Sequence, residues 1–315
     1  MAKEKYDFII IGGGGTGLAA GMYAARLGLK TLILGYTHGS EFPIGGVITT
    51  TNVVENYPGF KKISGEDLAK KLEEHARDYD LVTIKQELVE SIQKSGKAFV
   101  IKTKKEEYEG RTILFATGTK WKKLEVPGAQ EFENAGVNYC ALCDGPLFKN
   151  KTVAIVGGSD SAAKDALVLA EHAKKVYIIS RSTLHPEPIN MKRIKANKKI
   201  EVIEGNEVKE VEGDKVVTGV ILDKHYKGQK ELAVDGLFVA IGHIVLSELA
   251  ERLGVKVDKK KEIIINHKTS ETNVPGVFAA GDVTDKPFKQ LITGVADGCT
   301  AAYSAYEYIS KEKIK

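Results

Sequence analysis

The chain has 315 residues, 43% hydrophobic and 28% charged, the profile of a folded protein of about two domains rather than a disordered or fibrous one. Lys+Arg 46 against Asp+Glu 42 leaves a net charge of +4, too little to argue for a nucleic-acid partner. Three cysteines cannot staple a chain of this length and fit a reducing, cytoplasmic setting, and no apolar run approaches the roughly 18 residues of a membrane span.

Met1-Ala2-Lys3-Glu4-Lys5 has no apolar core of the kind a signal peptide carries. Tyr6 to Ile11 then reads as a strand buried on both faces. It runs into Gly12-Gly13-Gly14-Gly15-Thr16-Gly17, an alanine-rich helix over Leu18 to Leu27 and a strand over Lys30 to Leu34. Strand, glycine turn, helix and strand make a βαβ unit. In that context Gly12-x-Gly14-x-x-Gly17 is a dinucleotide fingerprint. The first glycine makes the turn, the second admits a pyrophosphate and the third lets helix and strand pack closely. The acid that usually ends the second strand is missing, because Leu34 is followed by Gly35; a ribose at this site must find its partner elsewhere.

A strand over Arg111 to Gly118 comes next, and then Cys140-Ala141-Leu142-Cys143-Asp144. Two-residue spacing puts both sulfurs on one turn at a helix start, where a disulfide can close and the dipole lowers a thiol pKa. Asp144 is placed to exchange a proton with a leaving thiolate. Half of a zinc site and a pair of idle core cysteines are the rival readings. Zinc needs four ligands, the third cysteine is the distant Cys299, and the seven histidines show no metal spacing; no metal is expected. Cys299 reads as a small core hydrophobe.

The βαβ plan returns as a strand over Lys151 to Val156, the turn Gly157-Gly158-Ser159-Asp160-Ser161-Ala162, a helix over Ala163 to His172 and a strand over Val176 to Ile179. Strands over Gly236 to Gly242 and Gly276 to Asp282 follow, and a helix over Gln290 to Ile309 closes the chain.

The fingerprint, the Cys140–Gly145 segment and the closing Pro275-Gly276-Val277-Phe278-Ala279-Ala280-Gly281-Asp282 occur together with Gly45-Gly46-Val47 and Val54-Glu55-Asn56-Tyr57-Pro58-Gly59 between them. In this order they resemble the low-molecular-weight thioredoxin reductases, over nearly the whole chain from Asp7 to Tyr308. The resemblance implies an α/β fold of two Rossmann-type domains. An FAD domain over 1–118 and 247–315 would be split by an NAD(P)-type domain over 119–246 that carries the redox disulfide. It also implies that Gly12, Gly14, Gly15, Thr16 and Gly17 lie at the FAD pyrophosphate, and that Gly45, Gly46 and Asn56 lie toward the flavin. Thr117 and Gly118 would close the adjacent turn. Gly281 and Asp282 would meet the ribityl chain, with Gln290 and Leu291 over the ring. Cys140 and Cys143 would be the redox pair and Asp144 the acid/base. The implied protein is a cytoplasmic homodimer that reduces thioredoxin or a glutaredoxin-like protein and has no nucleic-acid or membrane partner.

The chain departs from the family where NADPH would sit. Ser159 replaces a glycine of the second fingerprint. Of the arginines that grip the 2′-phosphate Arg181 remains, with Ser182 and Pro186 at the other two positions and Glu187 beside them. Losing two charge-assisted contacts, at roughly 1.5–3 kcal/mol each, lowers affinity about a hundredfold or more. NADPH is therefore in doubt as the donor, NADH lacks the 2′-phosphate, and a ferredoxin becomes an alternative. Val47 stands where the family has glutamine, the 36–44 loop is longer than usual, and Ile244-Val245 replaces Pro-Asn. Two rival functions are a dithiol oxidase that passes electrons to oxygen and a non-catalytic, redox-sensing flavoprotein.

Overall fold

The computed structural model describes residues 4–36, 44–51, 53–133 and 135–313. The long loop noted in the sequence falls largely on residues 37–43, outside the described residues. The chain divides into two compact units, Met1–Lys120 with Val245–Lys315, and Trp121–Ile244.

The first unit begins β1 (Glu4–Ile11), α1 (Gly15–Arg26), β2 (Thr31–Tyr36), α2 (Gly65–Arg77), β3 (Val82–Ser95), β4 (Ala98–Thr103), β5 (Glu107–Phe115) and β6 (Thr119–Trp121). β1 lies between β2 and β5, parallel to both, and Phe8 to Ile11 are wholly buried. A strand covered on both faces has no use for alternation, which is why these four positions are all apolar. β3 is long: its first half extends the parallel sheet beside β2, while its second half pairs antiparallel with β4, which in turn pairs with β5.

The inserted unit holds β7 (Val137–Asn138), α3 (Ala141–Asp144), β8 (Thr152–Val156), α4 (Asp160–His172), β9 (Lys175–Ser180), α5 (Pro188–Ala196), β10 (Ile200–Glu204), β11 (Val208–Gly213), β12 (Val217–Tyr226), β13 (Gln229–Ala233), β14 (Gly236–Val239) and β15 (His243–Val245). Its parallel sheet has the order β10-β9-β8-β14-β7, and β11, β12 and β13 form a separate antiparallel sheet. The chain then completes the first unit with α6 (Glu248–Arg252), β16 (Val277–Ala279) beside β5, and α7 (Leu291–Lys313).

The chain crosses between the units at 120/121 and 244/245, two residues from the boundaries expected at 118/119 and 246/247. The crossing segments extend as β6 and β15, which pair with each other. Ile244 and Val245 can join such a pair; a proline there would lack the N–H a ladder needs. Among the described residues no helix is long and apolar enough to cross a membrane.

Each βαβ start is shaped by the same steric demand. A Cβ on Gly12 would lie 2.1 Å from the Ala116 carbonyl oxygen, and one on Gly157 would lie 2.3 Å from that of Ala240. In both units the turn passes so close to the neighbouring strand's exit that only glycine fits. α7 rests against α1 in the same way, since a Cβ on Gly298 would lie 2.3 Å from Thr16 O.

Asp165, on α4, is expected to make the stability of the inserted unit depend on pH. Burial pushes its carboxyl up to about 7, and the neighbouring Lys164 offsets this only in part. An unfolded aspartate titrates near 4. Between those values the folded chain keeps a proton that the unfolded chain has released, so stability is lost as pH rises through the window. At about 1.36 kcal/mol per unit the cost reaches at most roughly 4 kcal/mol at pH 8. Asp165→Asn is therefore expected to raise the free energy of urea unfolding, and by more at pH 8 than at pH 5. An equal change at the two pH values would refute this origin.

Candidate active site

The first unit holds a cavity of about 210 Å³ whose floor is the glycine turn between β1 and α1. Gly14 caps α1 with no side-chain hydrogen bond, and the first helical turn has no acidic residue. The free N–H groups and the dipole of that helix end thus face the cavity without an internal anion. Gly45 and Gly46 form the facing wall, both with positive φ, at 105° and 72°. Gly45 N donates to Gly13 O at 2.8 Å, which ties the two glycine segments together. This backbone-lined cradle fits a dinucleotide pyrophosphate, because the glycines at 12–15, 45 and 46 put no side chain into it and leave the uncapped start of α1 open to an anion.

Gly12, Gly14, Gly15, Thr16, Gly45, Gly46, Thr117, Gly118, Asp282, Gln290 and Leu291 all line the cavity. Gly17, Asn56 and Gly281 stand behind it. A Cβ on Gly17 would lie 1.9 Å from Gly12 O, so this glycine serves the approach of helix to strand. Asn56 Nδ2 donates to Gln290 Oε1 at 2.9 Å and reaches the cavity through that partner. Gly281 has φ 77° and backs onto Thr16, where a Cβ would meet Oγ1 at 2.6 Å. Thr117 Oγ1 donates to Leu246 O at 2.7 Å, joining the two halves of the unit beside the cavity.

Sequence reasoning missed Gly35, Ile48, Thr51, Ala116, Thr119, Ala280 and Lys289, which also line the cavity. Gly35 stands where the acid would be, and a Cβ there would press on the Ile44 side chain, 2.0 Å from its Cδ1. Val47 lines the wall as well, apolar where an amide was the family expectation.

In the inserted unit Cys140 and Cys143 form a disulfide, with Cα atoms 5.3 Å apart. Cys140 is the N-cap of the one-turn helix α3, and its Sγ accepts from Cys143 N at 3.1 Å. Cys140 is buried and Cys143 exposed. Ala141 belongs to the core that α4 supplies with Ala162, Ala166 and Leu169, so the dithiol turn is seated on a full-length helix. Asp144 ends α3 half-buried, and burial raises its carboxyl above the ordinary value. A raised carboxyl beside a disulfide keeps its proton to higher pH than an ordinary aspartate and is suited to exchanging it with a leaving thiolate. Cys299 is half-buried on α7, and burial pushes its thiol up to about 11; protonated, it is a poor nucleophile. Among the described residues no group of three or more His, Cys, Asp or Glu is placed to hold a metal.

The second glycine turn, 157–158, is overlaid by the chain that follows β9. His185 N donates to Gly158 O at 2.9 Å, and Glu187 N and Asn190 Nδ2 both donate to Asp160 Oδ1 at 2.8 Å. Asp160 also pairs with Lys164, and these contacts together hold its carboxyl below the usual range despite burial. A fixed carboxylate thus occupies the first turn of α4, in contrast to the acid-free first turn of α1. Arg181 is exposed, as are Ser182 and Glu187.

The family of pyridine nucleotide-disulphide oxidoreductases matches residues 6–301. A thioredoxin reductase of Bacillus subtilis is 37% identical over 317 aligned residues, covering 99% of this chain and 97% of its own. The solved thioredoxin reductase of T. acidophilum superposes with a TM-score of 0.90 at 36% identity, over 99% of this chain and 100% of that one. A ferredoxin-flavin thioredoxin reductase from Clostridium acetobutylicum is 33% identical, with a TM-score of 0.52 over 98% and 100% of the two chains. With a family match over residues 6–301, 37% identity across nearly the full length of a thioredoxin reductase and a shared fold, the chain belongs to the pyridine nucleotide-disulphide oxidoreductases and, within them, to the low-molecular-weight thioredoxin reductases.

Proposed function

We propose that this FAD-dependent disulfide oxidoreductase passes electrons from its flavin through Cys140 and Cys143 to the disulfide of a thioredoxin or glutaredoxin-like protein. The observation that carries the reading is a dithiol turn with its own half-buried acid, Asp144, in the same chain as a side-chain-free pyrophosphate cradle. FAD supplies two-electron chemistry when bound. In this reading Gly12, Gly14, Gly15 and Thr16 hold its pyrophosphate, with Gly17 packing the helix beneath. Gly45, Gly46, Asn56, Thr117 and Gly118 enclose it, and Gly281, Asp282, Gln290 and Leu291 close the far side. The first unit is the FAD domain, and the inserted unit carries the dithiol. The protein works as a cytoplasmic homodimer, which rests on the family likeness.

NADPH is a poor donor in this reading. Exposed Arg181 is left without the arginines that would accompany it at 182 and 186. The same departure favours a second reading of the donor, a ferredoxin, as the name of the Clostridium relative records for that protein.

Anaerobic titration of the purified protein, followed at the flavin band near 450 nm, tests both. NADPH and NADH are expected to bleach the band weakly, and a Ser182→Arg/Pro186→Arg variant, which restores both contacts, is expected to gain about a hundredfold in NADPH affinity. Full bleaching of the unaltered protein by micromolar NADPH would refute the doubt about NADPH. Bleaching by reduced ferredoxin but by neither nucleotide establishes the second reading. Rapid peroxide formation with small dithiols in air would instead make the protein a dithiol oxidase. A flavin that never exchanges electrons with Cys140–Cys143 would leave a redox-sensing flavoprotein.

A further inference from the structure

We propose that Lys289, held by Glu262, is a positioning residue for the flavin site. Its ammonium group clamps the segment from Asp282 to Gln290 into the cavity wall. The inference rests on the reading of that cavity as the FAD site.

The segment leaves a single 3₁₀ turn, Gly281–Val283, and enters α7 at Leu291, and it supplies Asp282, Lys289, Gln290 and Leu291 to the cavity. Between those ends it has no helix or strand of its own, and Phe288 at its crest is 61% exposed. Lys289 Nζ donates to the backbone oxygen of Asp282 at 2.9 Å, so one side chain ties the end of the segment to its beginning. The same Nζ donates to Glu262 Oε1. Glu262 keeps only 15% of its side-chain exposure, against 27% for Lys289.

Glu262 is itself immobilised through its neighbour. Ile263 N donates to Val283 O at 2.8 Å, Asp285 N donates to Ile263 O at 3.0 Å, and Ile263 is wholly buried. A second lysine of the segment, Lys286, pairs with Asp297, which lies buried in α7. The far end is closed by Thr293, whose Oγ1 accepts from Gln290 N at 3.1 Å and donates to the oxygen of Gln290 or Phe288.

The consequence is directional. Asp282 and Gln290 face the cavity from opposite ends of a segment with no regular hydrogen-bond ladder, and their spacing is set by the Lys289 bridge. A side chain of equal length without the charge would remove the bond to the Asp282 carbonyl and the ammonium that faces the largely buried Glu262 carboxylate, a costly change that drives the segment to rearrange. An arginine can satisfy both acceptors.

The test is the rate of FAD release from purified holoenzyme, read as the rise of flavin fluorescence on dilution, together with the shape of the bound flavin's visible band. Lys289→Met is expected to release FAD about tenfold faster and to blur the band, in keeping with the loss of a charge-assisted bond. Lys289→Arg is expected to stay within about threefold of the unaltered protein, with Glu262→Gln in between. Glu262→Gln reads the same contact should Lys289→Met fail to fold. Release and spectra unchanged in Lys289→Met, or in Glu262→Gln where that variant stands in, would overturn the proposal, as would Lys289→Arg behaving like Lys289→Met. Unaltered protein that purifies without flavin would sink the reading of the site itself, a distinguishable result.

Discussion

Cys140→Ser and Cys143→Ser are each expected to lower the turnover of protein-disulfide reduction by about a thousandfold or more, while the flavin of either variant is still bleached by its donor. The balance of the reaction requires this. The reduced pair delivers two electrons and two protons: one sulfur attacks the substrate disulfide and displaces a thiolate that takes up a proton. The other sulfur then attacks the mixed disulfide, releases the second substrate thiol and closes Cys140–Cys143. A serine oxygen can perform neither attack. Because the two sulfurs act as a unit, the double variant should be no slower than either single one. The single variant that keeps the attacking thiol is expected to accumulate a mixed disulfide with a thioredoxin-like protein, detectable as a mass adduct, and so to identify which cysteine attacks. Stopped-flow bleaching separates this loss from a loss of flavin, because the cradle that would hold the flavin lies in the other unit. A single variant that kept a tenth of the original turnover would show that electrons bypass the dithiol.

The parts of the site that were legible in the sequence are those set by short-range sterics. Gly12 and Gly157 had to be glycine because their strands exit against the carbonyls of Ala116 and Ala240, and a turn between strand and helix displays that demand in six consecutive letters. The Cys140–Cys143 pair was legible for the same reason, as its chemistry and its N-capping geometry sit within one helical turn. Glu262 and Lys289 were not, because 27 residues separate them and each alone reads as a solvated charge; the pair exists only once Ile263 has docked on Val283 and Asp285. Asn56 and Gly17 were expected at the cofactor yet stand one layer behind the cavity, a distinction that depends on which neighbour each residue meets. The helix expected from Leu18 begins instead at Gly15, since the glycines that look like loop are the first turn of α1. The antiparallel sheet β11–β13 left little trace, because β11 buries only Val208 and Val211, three residues apart, and β13 only Leu232, so no strict alternation marks these strands.

The second large effect is expected from Asp144→Asn, which preserves the shape of the side chain and removes its proton. Turnover should fall by about a hundredfold, the lower end of what a placed acid or base contributes, with bleaching of the flavin by its donor unchanged. The sign of the pH dependence follows from the environment of the carboxyl. Burial raises it above an ordinary aspartate, so its protonated form persists to higher pH than it would in water. A thiolate leaving Cys140 or Cys143 needs a proton from that form. As pH climbs through the raised value the acid is lost, and the rate of disulfide opening in the unaltered protein falls. Asp144→Asn has no such form to lose, and its slower rate should be flat over the same interval. Asp144→Glu keeps the acid but displaces it by one methylene on a four-residue helix, and should recover part of the rate together with the slope. Variant and parent differing by less than about threefold across pH 5–8 would exclude Asp144 as the proton carrier. A hundredfold loss with the original slope intact would assign the pH dependence to another group and leave Asp144 only the task of shaping the turn.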